Sequence, residues 1–355
     1  MNKNIDQLIQ DSKSLLAQLI EIPSFSREED QTADCISTFL IERGISNNQI
    51  GNNVIAYNKY FDESKPTILL NSHHDTVKPN SGYTKDPFKA IVEDEKLFGL
   101  GANDAGGCLV SLIATFLYYY EDENLAYNLC LIVSAEEEIS GKEGIEEAYK
   151  HVVACDFAIV GEPTLLDLAV AEKGLMVLDC TALGESGHAA REEGVNAIYK
   201  AIEDINWFNS YKFPNESTFL GPVKMSVTVI NAGSQHNVVP AECKYVVDVR
   251  TTEVYTNVEV LGIIQSHVKS DVVARSTRLN PSTIAVDHPI VQAGIALGKK
   301  MYGSPTMSDQ ALLPIPSIKV GPGDSARSHT ADEFIYLKEI EDGISFYVQL
   351  LGKVL

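Results

Sequence analysis

Thr67-Ile68-Leu69-Leu70-Asn71-Ser72-His73-His74-Asp75-Thr76-Val77 is the stretch on which the fold turns. An apolar run gives way at once to two imidazoles and a carboxylate. The run is too short for a helix and too uniformly apolar for a strand with one wet face, which predicts a strand buried on both sides. Val54-Ile55-Ala56-Tyr57, Leu129-Cys130-Leu131-Ile132-Val133 and Phe157-Ala158-Ile159-Val160 have the same texture. Leu109 to Tyr120 is apolar and long enough for a packed helix. The opening segment carries Leu8, Leu15, Leu16, Leu19 and Ile20 at helical spacing ahead of Pro23. Buried strands separated by helices define an α/β layer with a mostly parallel sheet.

After about residue 170 the pattern changes. Met176 to Leu183, Tyr245 to Arg250 and Val272 to Leu279 read as strands, Val195 to Phe208 and Val258 to Val268 as helices. Val223, Met225, Val227 and Val229 alternate with Lys224, Ser226 and Thr228, as in a strand with one polar face. This is a smaller α+β, ferredoxin-like layer with an open face. From Asp287 onward the first texture resumes, with Ile290 to Met301 and Ile315 to Val320. The expected organisation is therefore residues 1–170 and 282–355 as one domain, with residues 171–281 inserted as a second.

A chain of 355 residues exceeds the roughly 250–300 at which single cores stop growing. With 45% hydrophobic residues it has material for two. The 49 acidic residues against 28 basic ones give a net charge of -21, which argues against nucleic acid and anionic membranes as partners. No apolar run reaches the ~20 residues that cross a bilayer. Met1-Asn2-Lys3-Asn4-Ile5-Asp6 is polar and unlike a signal peptide. Six scattered cysteines without a C-x-x-C pair read as buried reduced thiols. A soluble cytoplasmic protein is expected.

Residues two apart on an extended chain face the same way, so His73 and Asp75 project together. A metal-ligating imidazole commonly hands its other N–H to a carboxylate, although an exposed polar loop accounts for this pair equally well. Gly99-Leu100-Gly101-Ala102-Asn103-Asp104-Ala105-Gly106-Gly107 wraps glycines around one carboxylate before a helix. Asp104 reads there as an N-cap or as a ligand, and the glycine spacing is not that of a dinucleotide fingerprint. Glu136-Glu137-Glu138 follows the strand ending at Ser134, as a solvated acidic turn or as carboxylates relieved by cations. Gly161-Glu162-Pro163 follows Val160. Gly321-Pro322-Gly323-Asp324 and Ser328-His329-Thr330-Ala331-Asp332-Glu333 follow Val320. All five motifs sit where α/β folds gather ligands, beyond strands or glycine turns. Two imidazoles with several carboxylates suit a hard or borderline dication. H-E-x-x-H, G-x-S-x-G and P-loop motifs are absent from the sequence.

From Ile22-Pro23-Ser24 to His329 these motifs resemble, in order, those of the metallohydrolases that include acetylornithine deacetylase, succinyl-diaminopimelate desuccinylase, aminoacylase-1 and carboxypeptidase G (peptidase family M20). The resemblance implies two zinc ions, with cobalt able to substitute. His73 and Glu162 would hold one, Glu138 and His329 the other, and Asp104 would bridge them. Asp75 would orient His73, and Glu137 would be the general base. In the inserted domain, Gly184-Glu185-Ser186-Gly187-His188 resembles a lid motif whose histidine steadies the oxyanion in a partner subunit's site. His236-Asn237-Val238-Val239 resembles a segment whose asparagine contacts substrate across the dimer. Arg250 corresponds to an arginine that grips the substrate carboxylate, with Gly321 and Gly323 adding backbone N–H donors. A homodimer through the inserted lid is implied.

Gly106 stands where most relatives carry lysine, and His74 should face away from the site as a structural residue. The 321–333 segment is similar to the acetylornithine and acetyl-lysine deacetylase branch. It implies removal of an acetyl or succinyl group from an N-acyl-L-amino acid such as acetylornithine, acylcitrulline or acetyl-lysine, in arginine or lysine synthesis. A di- or tripeptidase or a succinyl-diaminopimelate desuccinylase of the same fold are the alternatives. A metal-bound binding protein without turnover would require loss of Glu137 or a ligand, and all are present. A succinyl substrate would call for an added cation, for which Arg327 and Lys173 are the candidates.

Overall fold

The computed structural model describes residues 4–355, so Met1–Lys3 of the opening stretch lie outside the described residues. The chain divides into two compact units. The larger runs up to Val170 and includes Ile284–Tyr302 and Ser308–Leu355, and the smaller comprises Ala171–Thr283 and Gly303–Met307. Gly303–Met307 falls in the smaller unit because Gly303 is packed against the backbone of Phe219, too tightly for a side chain.

In the larger unit, β1 (Asn47–Ile50), β2 (Asn53–Tyr57), β3 (Thr67–His73), β4 (Asn128–Ser134), β5 (Phe157–Val160), β6 (Leu168–Glu172) and β7 (Ser317–Lys319) form one sheet. Their order is β1-β2-β4-β3-β5-β7-β6. The centre, β4-β3-β5-β7, is parallel, and the flanking pairs are antiparallel. Every residue of β3, β4 and β5 is buried, as the unbroken apolar runs require. A parallel centre has one physical consequence for function. The carboxyl ends of β3, β4, β5 and β7 lie on a single edge, and the loops that leave it are brought together.

Helices α1 (Ile5–Ile20), α2 (Asp30–Ile41), α3 (Gly107–Tyr119) and α4 (Leu337–Leu351) belong to this unit. Asn4 caps α1 by accepting the N–H groups of Asp6 and Gln7. α3 is buried almost all round, between the sheet on one side and α1 and α4 on the other. Leu112 lies beneath the site edge, so close to Gly161 that a Cβ there would stand 2.7 Å from its Cδ1. The opposite face of the sheet is covered by Ile145, Ala148 and Leu313, packed on Leu69, Ile132 and Val160.

The smaller unit is a β-α-β-β-α-β arrangement. Its antiparallel sheet has the order Lys224–Ala232, Glu242–Thr251, Gly174–Leu183, Asp271–Ala274. Helices Ala197–Ser210 and Asn257–His267 cover one face, where Met176, Leu178, Cys180, Tyr245, Val247 and Val249 meet Phe208, Val260 and Ile264. Two expectations change in detail. The strand expected over 272–279 ends at Ala274, ahead of polar residues and Pro281. The apolar alternation through Val229 breaks at a bulge between Val227 and Val229, leaving Val229 and Ile230 about half exposed. No described helix is long and apolar enough to cross a membrane. All six cysteines are free, and five are buried.

Leu112→Ala should cost about 2–5 kcal/mol of stability, since it empties a fully buried position in close-packed surroundings. Denaturant unfolding monitored by circular dichroism measures this, and a cost below about 1 kcal/mol would contradict the packing described.

Candidate metal centre

His73, the last residue of β3, is buried with its Nε2 facing three carboxylates. Asp104 Oδ1 lies at 3.4 Å, Glu162 Oε1 at 3.7 Å and Glu137 Oε2 at 3.9 Å. None of these contacts has hydrogen-bond geometry, so Nε2 is a buried polar atom without a hydrogen-bond partner. On the other side of the ring, Nδ1 is 3.0 Å from the carbonyl oxygen of Asp75 and 3.3 Å from its Oδ1. Both neighbours are acceptors, so Nδ1 carries a proton and donates, leaving Nε2 as the nitrogen that can ligate. His74 points elsewhere, as expected. Its ring is held by Thr32 Oγ1 at 2.8 Å and the carbonyl of Asn52 at 2.9 Å.

Asp104 follows the glycine turn before α3, and the Asp104–Ala105 peptide is cis. Its Oδ2 lies 3.6 Å from His329 Nε2, which is 3.0 Å from Glu138 Oε2. One carboxylate therefore presents one oxygen to each imidazole. The ligating atoms of His73, Asp104 and Glu138 lie within 4.8 Å of one another, as do those of His73, Glu137 and Glu162. Two donors at about 2.1 Å from a tetrahedral cation stand roughly 3.4 Å apart. These separations and the orphaned Nε2 fit divalent cations with mixed nitrogen and oxygen ligands.

The loops are fixed by buried carboxylates that collect backbone N–H groups. Asp75 accepts from Glu137 and Glu138 at 3.0 and 3.2 Å and from the Ser26 hydroxyl at 2.7 Å. Glu29 accepts from Glu136 N–H at 3.1 Å and from Asn52 at 2.8 Å. Glu333, 2% exposed, accepts from Gly101, Asn103 and Asp104. Glu136 itself turns away, in the left-handed region at φ 56°, leaving Glu137 and Glu138 to face the site. His329, at φ 59°, is also left-handed. Asp309 is buried with its carboxylate 2.5 Å from Ser134 Oγ at the end of β4. Ser26, Glu29 and Asp309 were not legible as site residues, because nothing in their local sequence sets them apart. The signal for Glu333 was its place four residues after His329.

With carboxylates this crowded, protons stand in for cations. Burial works against charge on His73, yet its contacts with Asp104 and Asp75 hold it well above the ordinary imidazole value. The hydrogen bond to Glu138 lifts His329 to about 9. Burial drives Glu137 well above the usual carboxylate range, and takes Asp309 to about 6.

Two expectations need correction. The N–H of Gly321 donates to Thr164 Oγ1 at 3.1 Å, so it is occupied within the larger unit and not presented to a substrate. Gly323 stands at φ 88°, where glycine is favoured. The guanidinium of Arg327 is forked onto Glu339 at 2.6 and 2.9 Å, so it is no spare cation for a succinyl group. A Cβ on Gly106 would come within 2.5 Å of the Gly101 carbonyl oxygen. A lysine there would require this turn to move.

Within the smaller unit, Gly187–His188 pairs with Val238–Val239, and Ala189 N–H donates to the carbonyl of Asn237. The structure thus brings His188 and Asn237 together on exposed turns. Arg250 is forked onto Asp248 at 2.9 and 3.1 Å. Lys173 is partly buried, with Lys224 and Arg250 as its charged neighbours.

A family model described as peptidase family M20/M25/M40 matches residues 69–353. The chain belongs to this family. It is 28% identical over 306 residues to acetylornithine deacetylase of Proteus mirabilis, covering 80% of this chain and 78% of that protein. It is 27% identical over 355 residues to the LysW-lysine/LysW-ornithine hydrolase of Sulfurisphaera tokodaii, covering 96% and 95%. Aminopeptidase PepT from Bacillus cereus has the same fold, with a TM-score of 0.74 at 17% identity over 99% of each chain. A Bacillus subtilis protein described as a dinuclear metal-binding peptidase of family M20 aligns with a TM-score of 0.71 at 17% identity over 98% of each. This M20 chain is a hydrolase of a metal-dependent family and carries a donor set fit for such ions.

The hydrogen bond to Glu138 raises the His329 imidazole to about 9, so a cation that takes its Nε2 as a ligand would have to displace a proton. Affinity for Co2+ or Zn2+ should therefore rise between pH 7 and 9, and binding at pH 7 should release protons. Titration in weak buffer with a pH indicator measures the release. Affinity that is flat over that interval would contradict this account of His329.

Proposed function

We propose that this M20 protein is a dizinc N-acyl-amino-acid deacylase, which hydrolyses the amide between an acetyl or succinyl group and the α-nitrogen of an L-amino acid. The observation that carries the reading is the placement of Asp104, with one oxygen toward His73 and the other toward His329. That is the arrangement a carboxylate shared by two cations requires. His73 and Glu162 would hold one ion, Glu138 and His329 the other, with Asp104 between. Bound cations there supply a Lewis acid for the amide carbonyl and a water of lowered pKa.

The protein's own residues account for the proton traffic. Glu137 lies among the candidate ligands, its Oε2 3.9 Å from His73 Nε2. Its carboxylate takes the proton of the attacking water and returns it to the leaving nitrogen. Burial raises its proton affinity, which suits a group that must hold a proton between those steps. Asp75 holds His73 by its backbone carbonyl, and Glu137 and Glu138 by its carboxylate. One residue thus orients both a ligand and the base. Arg250 is assigned to the substrate carboxylate, where its planar fork would exchange Asp248 for substrate. His188 and Asn237 are assigned to oxyanion and substrate contact, from the partner subunit of a homodimer. The deacetylase and hydrolase names of the curated relatives support an acylated amino acid as substrate.

Glu137→Gln should lower kcat by about 10²–10⁴-fold while Co2+ loading persists. Retained turnover would remove Glu137 as the base. The substrate class is tested by amine release from N-acetyl and N-succinyl ornithine, citrulline, lysine and diaminopimelate, with two dipeptides alongside. An acylated amino acid should be cleaved fastest, whereas preference for the dipeptides would make the protein a peptidase on the same centre.

A further inference from the structure

We infer that Glu333 is a positioning residue that sets the spacing between the two halves of the metal centre, an inference that rests on the dinuclear reading above. Glu333 has no part in the proton traffic proposed above, and its carboxylate is bonded to the backbone at and beside Asp104. Its carboxylate is 2% exposed and points into the turn that precedes α3. Oε1 accepts the N–H groups of Asn103 at 2.8 Å and Asp104 at 2.9 Å, and Oε2 accepts that of Gly101 at 3.2 Å. Gly101 is left-handed at φ 75°, and this lets the N–H groups on either side of Ala102 aim at one point. The result is a pocket of backbone dipoles filled by a carboxylate from the far end of the chain.

The other end of this link is covalent. Only three residues separate Glu333 from His329, and that short segment is itself pinned. Asp332 accepts from Thr84 N–H at 2.8 Å and Lys85 N–H at 2.9 Å. Asn80 donates to the carbonyl of His329 at 3.2 Å. The Glu333 carbonyl accepts from Gly99 N–H at 3.0 Å, and Phe334 pairs with Phe98 beyond it. His329 belongs to one proposed ion and Asp104 is shared by both. Their 3.6 Å approach is thus held by one short peptide and three hydrogen bonds to one side chain. Loss of those bonds loosens the turn carrying Asp104 against the segment carrying His329, which stay joined by the Gly99 N–H bond and by Asn103 with Asp324. His73 and Glu162, on the ends of β3 and β5, keep their own supports.

The test uses the full-length protein freed of metal, with Glu333→Gln and Glu333→Ala beside it. Co2+ loading is followed by visible absorbance in competition with a chelator, and the metal-free forms are melted thermally. In Glu333→Gln the amide oxygen keeps the bonds from Asn103 and Asp104, while the NH2 group confronts the N–H of Gly101. The metal-free variant should melt close to the native protein. One of its two Co2+ affinities should fall about 10–100-fold, the effect typical of removing a partner of a metal ligand. Glu333→Ala should lose more in that same affinity, and the other, drawn from His73 and Glu162 with their own supports, should change less in both. Native protein that binds two Co2+ while both variants match its two affinities would overturn the role of Glu333 alone. A uniform loss at both sites, paralleled by a fall in metal-free melting temperature, would also overturn it in favour of a packing role. Native protein that binds fewer than two Co2+ would instead overturn the dinuclear reading, and this inference with it.

Discussion

The carboxylate of Asp104, set between the imidazoles of His73 and His329 at 3.4 and 3.6 Å, is the interaction on which the rest of the centre depends. Bringing Glu137, Glu138 and Glu162 to the same place is electrostatically costly, because like charges at short range repel. In the metal-free state the two histidines relieve that cost by taking protons. Cations relieve it better, with double charges placed where the lone pairs converge. The same crowding that would destabilise an ordinary surface turn is what would give the proposed cations their affinity.

Holding such a cluster together takes a rigid frame, and the frame is built largely from acids as well. Asp75, Glu29 and Glu333 are buried carboxylates, and each accepts backbone N–H groups from a loop that bears site residues. Charge-assisted bonds of this kind are stronger than neutral ones, and a buried anion is tolerable only when such donors surround it. The N-terminal segment after α1 supplies Ser26 and Glu29, and these two residues give the Ile22-Pro23-Ser24 motif its place beside the site. Thr76 N–H donates to the carbonyl of Ser24 at 2.8 Å, which ties that segment to the end of β3.

Two arginines of the larger unit already face acids. Arg327 is committed to Glu339 and stacks over Phe334 and Tyr336, and Arg27 lies near Glu136. In the smaller unit Arg250 shares its row with Lys224 across the strand pair, and Lys173 has both as charged neighbours. The larger unit carries the candidate metal ligands, and the smaller one carries a cluster of positive charge formed by Lys173, Lys224 and Arg250.

Much of this protein was determined by local sequence. Unbroken apolar runs specify strands buried on both faces, and those runs dictate an α/β layer with a parallel centre. The alternation after residue 170 specifies a second sheet with one helical cover. The motifs that carry His73, Asp75, Asp104, Glu137, Glu138, Glu162 and His329 stood out by their place beyond buried strands or glycine turns, while the choice among their acids and the role of each came from the resemblance to family M20. The tertiary structure decided what sequence spacing does not encode. It placed the antiparallel flanks of the sheet, the bulge at Val229 and the turning away of Glu136. It also committed Gly321 N–H to Thr164 and Arg327 to Glu339. Above all it recruited Glu29, Asp309 and Glu333, acidic residues that any surface would also carry. Their roles follow from burial and from hydrogen bonds to residues as far as 232 positions away in the chain. Contacts of that range exist only once the chain has closed on itself.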